Sequence, residues 1–205
     1  MMLCGAPRWN SIFAIVGLSA LVIFIFQVAP YILPLQVNGL PTDLASASGA
    51  AASSTVASRP LILSIPKIGV SARIESVGTN KKGQMRAPSS FRTVAWYMYG
   101  AKPGSKGASV IVGHVDNALA LKGVFFHLNA LSLGDDVQVE DTKGVIHRFV
   151  VIRTASYAYD DATPLQEIFV GSATSSELNL ITCGGTWIPS IHSYDKRFVV
   201  YTRAY

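Results

Sequence analysis

One cysteine draws attention because the chain offers it no obvious partner. Cys183 follows the apolar run Leu178-Asn179-Leu180-Ile181-Thr182, and the only other cysteine, Cys4, precedes a long stretch without charged residues. If that stretch crosses a membrane, the two sulfurs lie on opposite sides of it and cannot pair. A single thiol in an oxidising compartment is often a reactive one. The alternative is an inert buried thiol.

Two further residues could act with this thiol. Gly184-Gly185 interrupts the strand pattern, so Cys183 is expected at a strand end, and the next strand opens near Arg197. If these strands pair antiparallel, Arg197 lies beside the thiol, whereas Arg203 lies roughly 20 Å away at about 3.3 Å per residue. His114 closes another apolar strand. A solvated surface charge is the alternative for a single arginine.

The other histidines have simpler interpretations. His127 is expected in a helical turn packed on the domain, and His147 lies mid-strand, where it should face water. His192, in the loop after Cys183, is the one rival to His114 for acid–base chemistry.

A cysteine, a histidine and an arginine together indicate covalent acyl transfer. The thiolate is the nucleophile, but only a few per cent of a free thiol is ionised at neutral pH. A histidine can ionise the thiol and later protonate a leaving amine. An arginine can stabilise the oxyanion without titrating. Spacing alone does not show that the three residues meet.

The order and surroundings of these residues resemble the sortase family. The shared features are Leu178-x-Leu180-Ile181-Thr182-Cys183, the upstream Gly113-His114-Val115-Asp116, and Arg197 at the head of the following strand. The similarity covers residues 61–205, and within the family the chain is most similar to the actinobacterial class F type, with class E next.

This resemblance implies an eight-stranded β-barrel with few short helices and the activity of a membrane-anchored cysteine transpeptidase. Such an enzyme cleaves an LPxTG-like sorting motif through a thioacyl intermediate and transfers the acyl chain to an amine of a cell wall precursor. Carried over by position, Cys183 is the nucleophile, His114 the general acid and base, and Arg197 the group that orients substrate and stabilises the oxyanion. Thr182 helps to shape the substrate groove. No cofactor is implied.

Calcium dependence is not expected. The acidic residues Asp135, Asp136, Glu140 and Asp141 are interpreted as the border of a solvated hairpin rather than as a compact calcium site. The basic residues of the domain form no long runs, which argues against nucleic-acid binding.

The N-terminal part is predicted to anchor the chain. Residues 9–35 form an uncharged, largely apolar segment long enough to span a bilayer, with Arg8 placing residues 1–8 in the cytoplasm. A cleaved signal peptide is the alternative, but its apolar core is usually shorter, at about 7–15 residues. Residues 36–59 are rich in Ala and Ser and predict a flexible linker. The catalytic domain, residues 60–205, would lie outside the cell on a single-pass anchor.

Within residues 60–205 the pattern predicts a mainly β domain. Strands are expected at residues 61–65, 93–99, 109–112, 137–140, 146–152, 178–182 and 198–202, with helical turns near 124–131 and 164–169. Many short strands separated by Gly and Pro turns favour a closed barrel.

Two other functions stay open. A cysteine peptidase could use the same three residues and deliver the acyl group to water. A non-catalytic barrel could bind surface peptides, and it would leave Cys183, His114 and Arg197 scattered.

Overall fold

The computed structural model describes residues 57–205, which fold into an eight-stranded barrel. Along the chain the strands are β1 (Pro60–Ile65), β2 (Val70–Val77), β3 (Val94–Tyr97), β4 (Gly107–Gly113), β5 (Asp136–Asp141), β6 (Ile146–Ala158), β7 (Ser176–Ile188) and β8 (Ser193–Ala204). Around the barrel their order is β1-β2-β3-β4-β7-β8-β6-β5, and β5 pairs back onto β1. The predicted mainly β, eight-stranded barrel is confirmed.

Helices are few in the described part of the chain. One short α-helix, α1 (Leu165–Phe169), follows Pro164, whose fixed φ suits a helix start. Single turns of 3₁₀ helix occupy Pro66–Ile68, Leu128–Ala130 and Pro189–Ile191. Among residues 57–205 no helix is long and apolar enough to cross a membrane. The predicted anchor and most of the predicted linker lie outside the described residues.

Apolar side chains pack on both the inner and the outer face of the barrel. Leu178 and Leu180 of β7 are fully buried in the main core, together with Phe125 and Phe149. Ile181 belongs to a second apolar cluster that includes Ile168 of α1. Because successive strand residues point to opposite faces, this second cluster lies on the outer face and attaches α1 to the barrel.

One parallel and one antiparallel strand pair determine where the chain can place a site. β4 and β7 run parallel with Val112 opposite Ile181, so the residues that follow these two emerge at the same end of the barrel. β8 pairs antiparallel with β7 and therefore begins at that end. The residues after β4, the last part of β7 and the start of β8 thus share one rim.

Some elements differ from the sequence predictions. β2 was not predicted, because its alternating pattern contains Ala72 in place of a large β-branched residue. β7 does not end at Gly184 but continues to Ile188, with a register shift between Gly184 and Trp187. Gly185 has a φ of +80°, which a glycine adopts without strain, so the glycines form a bulge rather than a strand end.

Candidate active site

The barrel rim brings the predicted residues together. Cys183 of β7 lies directly opposite Arg197 of β8 in the antiparallel register. His114 follows the last residue of β4, at the level of Cys183 in the parallel β4–β7 pair. All three side chains, together with Thr182, line one cavity of about 140 Å³.

Cys183 is largely covered, with 6% of its surface exposed, and is reached through the cavities that it lines. Its sulfur is disulfide-bonded in this structure, whereas the sequence predicted an unpaired thiol. Because a disulfide sulfur is not a thiolate, only the reduced chain can use Cys183 as a nucleophile.

His114 is fixed by contacts on both sides. Its Nε2 lies 3.2 Å from the carbonyl oxygen of Pro88, which can only accept, so this nitrogen carries a hydrogen and Nδ1 remains for proton exchange. The His114 carbonyl accepts a bond of 3.0 Å from the Phe125 amide. Gly123 packs so closely that a Cβ there would lie 2.3 Å from the His114 oxygen.

Arg197 is oriented by the strand that carries it. Nη1 donates to the carbonyl oxygens of Tyr194 at 3.0 Å and Lys196 at 2.8 Å, and Nη2 donates to Ser193 Oγ at 3.0 Å. Burial lowers the pKa of Arg197 to about 10, an effect that Tyr159 opposes. The guanidinium therefore remains charged at neutral pH and is partly shielded from water.

Thr182 joins the two parallel strands immediately below the site. The side chain is buried, and its Oγ1 donates a bond of 2.9 Å to the Gly113 carbonyl. This bond joins β7 to β4 through the residues that immediately precede Cys183 and His114, and so it sets the position of one strand relative to the other.

The first cavity has mainly apolar walls. One wall is α1 with its preceding proline, contributing Pro164, Leu165 and Ile168, and another is the β2–β3 loop with Met85 and Pro88. The α1 wall is tied to the barrel by Asn179, whose Nδ2 donates to the Ile168 carbonyl at 2.7 Å. Such apolar walls can bind apolar side chains of a ligand.

A second cavity, of about 260 Å³, opens on the other side of the same two residues. It shares His114 and Cys183 with the first cavity, and Asp116, Trp187 and Tyr194 contribute to its walls. The Tyr194 hydroxyl donates to Asp116 Oδ2, and the Trp187 and Tyr194 rings meet edge to face at 5.4 Å. The pair connects the β7–β8 ribbon to the loop after His114.

Comparison with known proteins identifies the family. A sortase domain model matches residues 63–205. The chain belongs to the sortase family. No match is found among curated proteins.

Solved sortases share the fold of this domain at low sequence identity. Sortase A from Corynebacterium diphtheriae, a lid mutant, is 20% identical with a TM-score of 0.55 and coverage of 74% of this chain and 74% of that one. Sortase C from Clostridium perfringens SM101 is 18% identical with a TM-score of 0.52, and the match covers 71% of this chain and 70% of that one. Sortase C-1 from Actinomyces oris is 21% identical with a TM-score of 0.52, and the match covers 70% of this chain and 72% of that one. At these identities the likeness concerns the fold, and it does not separate class F from class E.

The remaining histidines of the sortase domain lie away from this site. His192 is exposed at the turn of the β7–β8 ribbon and His127 is exposed against Phe126. His147 does not face water as predicted, because its Nε2 lies 3.2 Å from Asp141 Oδ2 and its side chain is only 13% exposed. Neither cavity at the rim includes any of the three.

Asp141 also differs from its predicted position in a solvated hairpin. The side chain is buried and accepts bonds from the amides of Lys143, Val145 and Ser58. Burial raises its pKa, but these bonds and His147 outweigh burial, so the pKa is lowered overall. Among residues 57–205 no cluster of three or more His, Cys, Asp or Glu side chains could hold a metal ion.

Sequence reasoning missed the residues that hold the site in place. Pro88, Asp116 and Tyr194 were not assigned roles, although Asp116 stands in the same short run as His114. Their contacts join positions far apart in the chain, 26 residues for Pro88 with His114 and 78 for Tyr194 with Asp116. No local pattern signals such pairs.

Proposed function

We propose that this sortase is a cysteine transpeptidase that cleaves an LPxTG-like sorting motif and transfers the acyl chain to an amine. The observation that carries the proposal is the convergence of Cys183, His114 and Arg197 on one cavity at the barrel rim. A non-catalytic barrel would have no need to bring these three side chains together.

In the first step the thiolate of Cys183 attacks the scissile carbonyl carbon. The oxyanion that forms is stabilised by Arg197, whose guanidinium is preorganised by its bonds to the ribbon. The carbon–nitrogen bond then breaks, the leaving amine takes the proton of the His114 imidazolium, and a thioester on Cys183 remains.

In the second step an acceptor amine attacks the thioester carbonyl. The amine proton passes to neutral His114, the carbon–sulfur bond breaks, and its electron pair returns to the sulfur as thiolate. This restores the thiolate–imidazolium pair that began the cycle. Water in place of the amine would give hydrolysis.

The sequence supports further parts of the proposal. We propose an uncleaved anchor at residues 9–35, a catalytic domain outside the cell, and an acceptor amine on a cell wall precursor. Catalysis is proposed to need no calcium or other cofactor, and the motif pattern favours class F over class E.

The test is peptide cleavage by the full-length chain, purified in detergent and kept reduced. A panel of LPxTG-like peptides is incubated with and without an amine, and products are identified by mass spectrometry. We expect cleavage between Thr and Gly, with the amine adduct replacing the hydrolysis product when amine is present. Products that do not respond to amine would instead favour a peptidase.

The chain provides its own matched control for the nucleophile. Cys183→Ala should abolish cleavage, whereas Cys4→Ala, which removes the only other thiol, should retain it. Cleavage that survives Cys183→Ala would overturn covalent catalysis by this residue.

A further inference from the structure

We propose that the second cavity is the acceptor site and that Asp116 makes it select a cationic primary amine with no carboxylate next to the nitrogen. The inference rests on the proposed transfer reaction. It adds where the acceptor binds and which charge the acceptor must carry.

The two cavities lie on different sides of Cys183 and His114. They have only His114 and Cys183 in common. A peptide acyl group held by α1 and the β2–β3 loop occupies the first cavity and covers Arg197. The second cavity then remains as the route by which another molecule can reach both the thioester carbon and the imidazole.

The charges that line the second cavity favour a cation. Asp116 is a carboxylate, and no lysine or arginine is among the lining residues in the described structure. Arg197 lines the first cavity but not the second, so it does not compensate the charge of Asp116 there. Lys122 pairs with Asp116 through an isolated backbone bridge, but its Nζ lies 4.8 Å from the centroid of the Phe126 ring, and neither Lys122 nor Phe126 lines the second cavity. An acceptor with its own carboxylate would therefore meet the Asp116 carboxylate in a cavity that no lysine or arginine of residues 57–205 lines.

The geometry of Asp116 is set by its neighbour. Tyr194 donates to Oδ2, which orients the carboxylate and leaves it with further acceptor capacity. Burial, followed by the bond to Asp116, raises the pKa of Tyr194 to about 12, so the hydroxyl stays a donor at neutral pH. The aromatic rings of Tyr194 and Trp187 also line this cavity, and aromatic rings attract ammonium groups.

The negative charge of Asp116 acts on the protonated form of the acceptor amine. An alkyl primary amine is mostly ammonium at neutral pH, whereas only the neutral form attacks a thioester. Asp116 concentrates the ammonium beside His114. The ammonium first gives one proton to solvent water, and the neutral amine then attacks the thioester, with His114 receiving the second proton as the carbon–nitrogen bond forms. The electron pair of the broken carbon–sulfur bond returns to Cys183.

The experiment compares two acceptors of nearly equal size, glycinamide and glycine. Wild type should prefer glycinamide, and Asp116→Asn should reduce the ratio of the two transfer rates by about five-fold, as expected for a partly exposed charge pair. Comparing ratios between variants removes the different intrinsic reactivities of the two amines. An unchanged ratio in Asp116→Asn would overturn the inference.

A remote carboxylate with the same kind of partner serves as control. Asp136 on β5 accepts a bond of 3.0 Å from the Tyr205 hydroxyl and lines neither rim cavity. Asp136→Asn removes the same charge from the protein and should leave the glycinamide-to-glycine ratio at the wild-type value. A loss of selectivity equal to that of Asp116→Asn would show a general effect of net charge and refute a local site.

A second measurement does not depend on peptide cleavage. The reduced full chain is treated with cationic aminoethyl and anionic sulfonatoethyl methanethiosulfonates, and modification of Cys183 is followed by mass spectrometry. Asp116→Asn should lower the cationic-to-anionic rate ratio by about five-fold, and an equal ratio in both proteins would contradict the inference. If Cys183 reacts with this preference but no sorting peptide is cleaved, the proposed function fails while the cationic site stands.

Discussion

Replacing Arg197 by lysine tests whether the fork of the guanidinium, rather than its charge alone, supports catalysis. Within residues 57–205 the guanidinium donates to Ser193 Oγ and to the carbonyl oxygens of Tyr194 and Lys196. A lysine keeps the charge but cannot bind these acceptors and also present a donor to the oxyanion. Loss of one oxyanion donor is worth about 2.7–4 kcal/mol, so kcat/KM should fall by about 10²–10³.

The assay is kcat/KM for a fluorogenic sorting peptide under reducing conditions, with the thermal midpoint measured in parallel. Arg203→Lys is the matched control, because Arg203 lies on the same strand and face, opposite Glu177 and away from the rim. That control should change kcat/KM by less than about two-fold. A similarly small loss for Arg197→Lys would refute the role given to the guanidinium fork.

Three further predictions concern the residues that position the site. Asn179→Ala removes the bond to the Ile168 carbonyl and should raise KM for the peptide several-fold, at a stability cost of about 1–3 kcal/mol; an unchanged KM would separate α1 from substrate binding. Gly123→Ala places a Cβ 2.3 Å from the His114 oxygen, so kcat should fall more than about ten-fold with a loss of about 1–3 kcal/mol in stability; full activity would show that the loop adapts freely. Burial raises the pKa of the Glu75 carboxyl, but hydrogen bonds from Thr93 and Ser89 outweigh burial and lower the pKa overall. The Glu75 carboxylate therefore stabilises the fold at pH values above the pKa of the unfolded state. This stabilisation is lost as pH falls through the lowered pKa of the folded state. The urea midpoint of wild type should therefore drop more steeply between about pH 5 and about pH 3 than that of Glu75→Gln, and parallel curves would contradict this assignment.

The pairing of Cys183 with Arg197 could be predicted because it is local. The two residues lie in consecutive strands joined by a short turn, so antiparallel pairing alone places them opposite each other. His114 was placed correctly as the residue that follows a buried strand, but its approach to Cys183 depends on the parallel β4–β7 pairing. Composition and spacing do not specify that pairing, and before the structure was known only the family resemblance implied that the three residues act together.

Other features could not be predicted because the deciding contact is distant or ambiguous. In the sequence, the bulge at Gly184 and Gly185 cannot be distinguished from a strand end, because glycine is expected both where a strand ends and where a strand continues through a bulge. His147 reads as an exposed strand residue, because nothing nearby in sequence reveals that Asp141 is turned inward and held by three amides. The proposed anchor at residues 9–35 stays a prediction, as it lies outside the described residues.

The hairpin that joins Cys183 to Arg197 also affects how the site is assembled. Its two strands meet by short-range pairing, whereas the bond from Thr182 to Gly113 closes a separation of 69 residues. Short-range pairings form faster than distant ones, so we expect sulfur and guanidinium to come together before the imidazole arrives. A newly made chain would then lack the acid–base partner of its thiol, and only completion of the barrel would bring the imidazole to it.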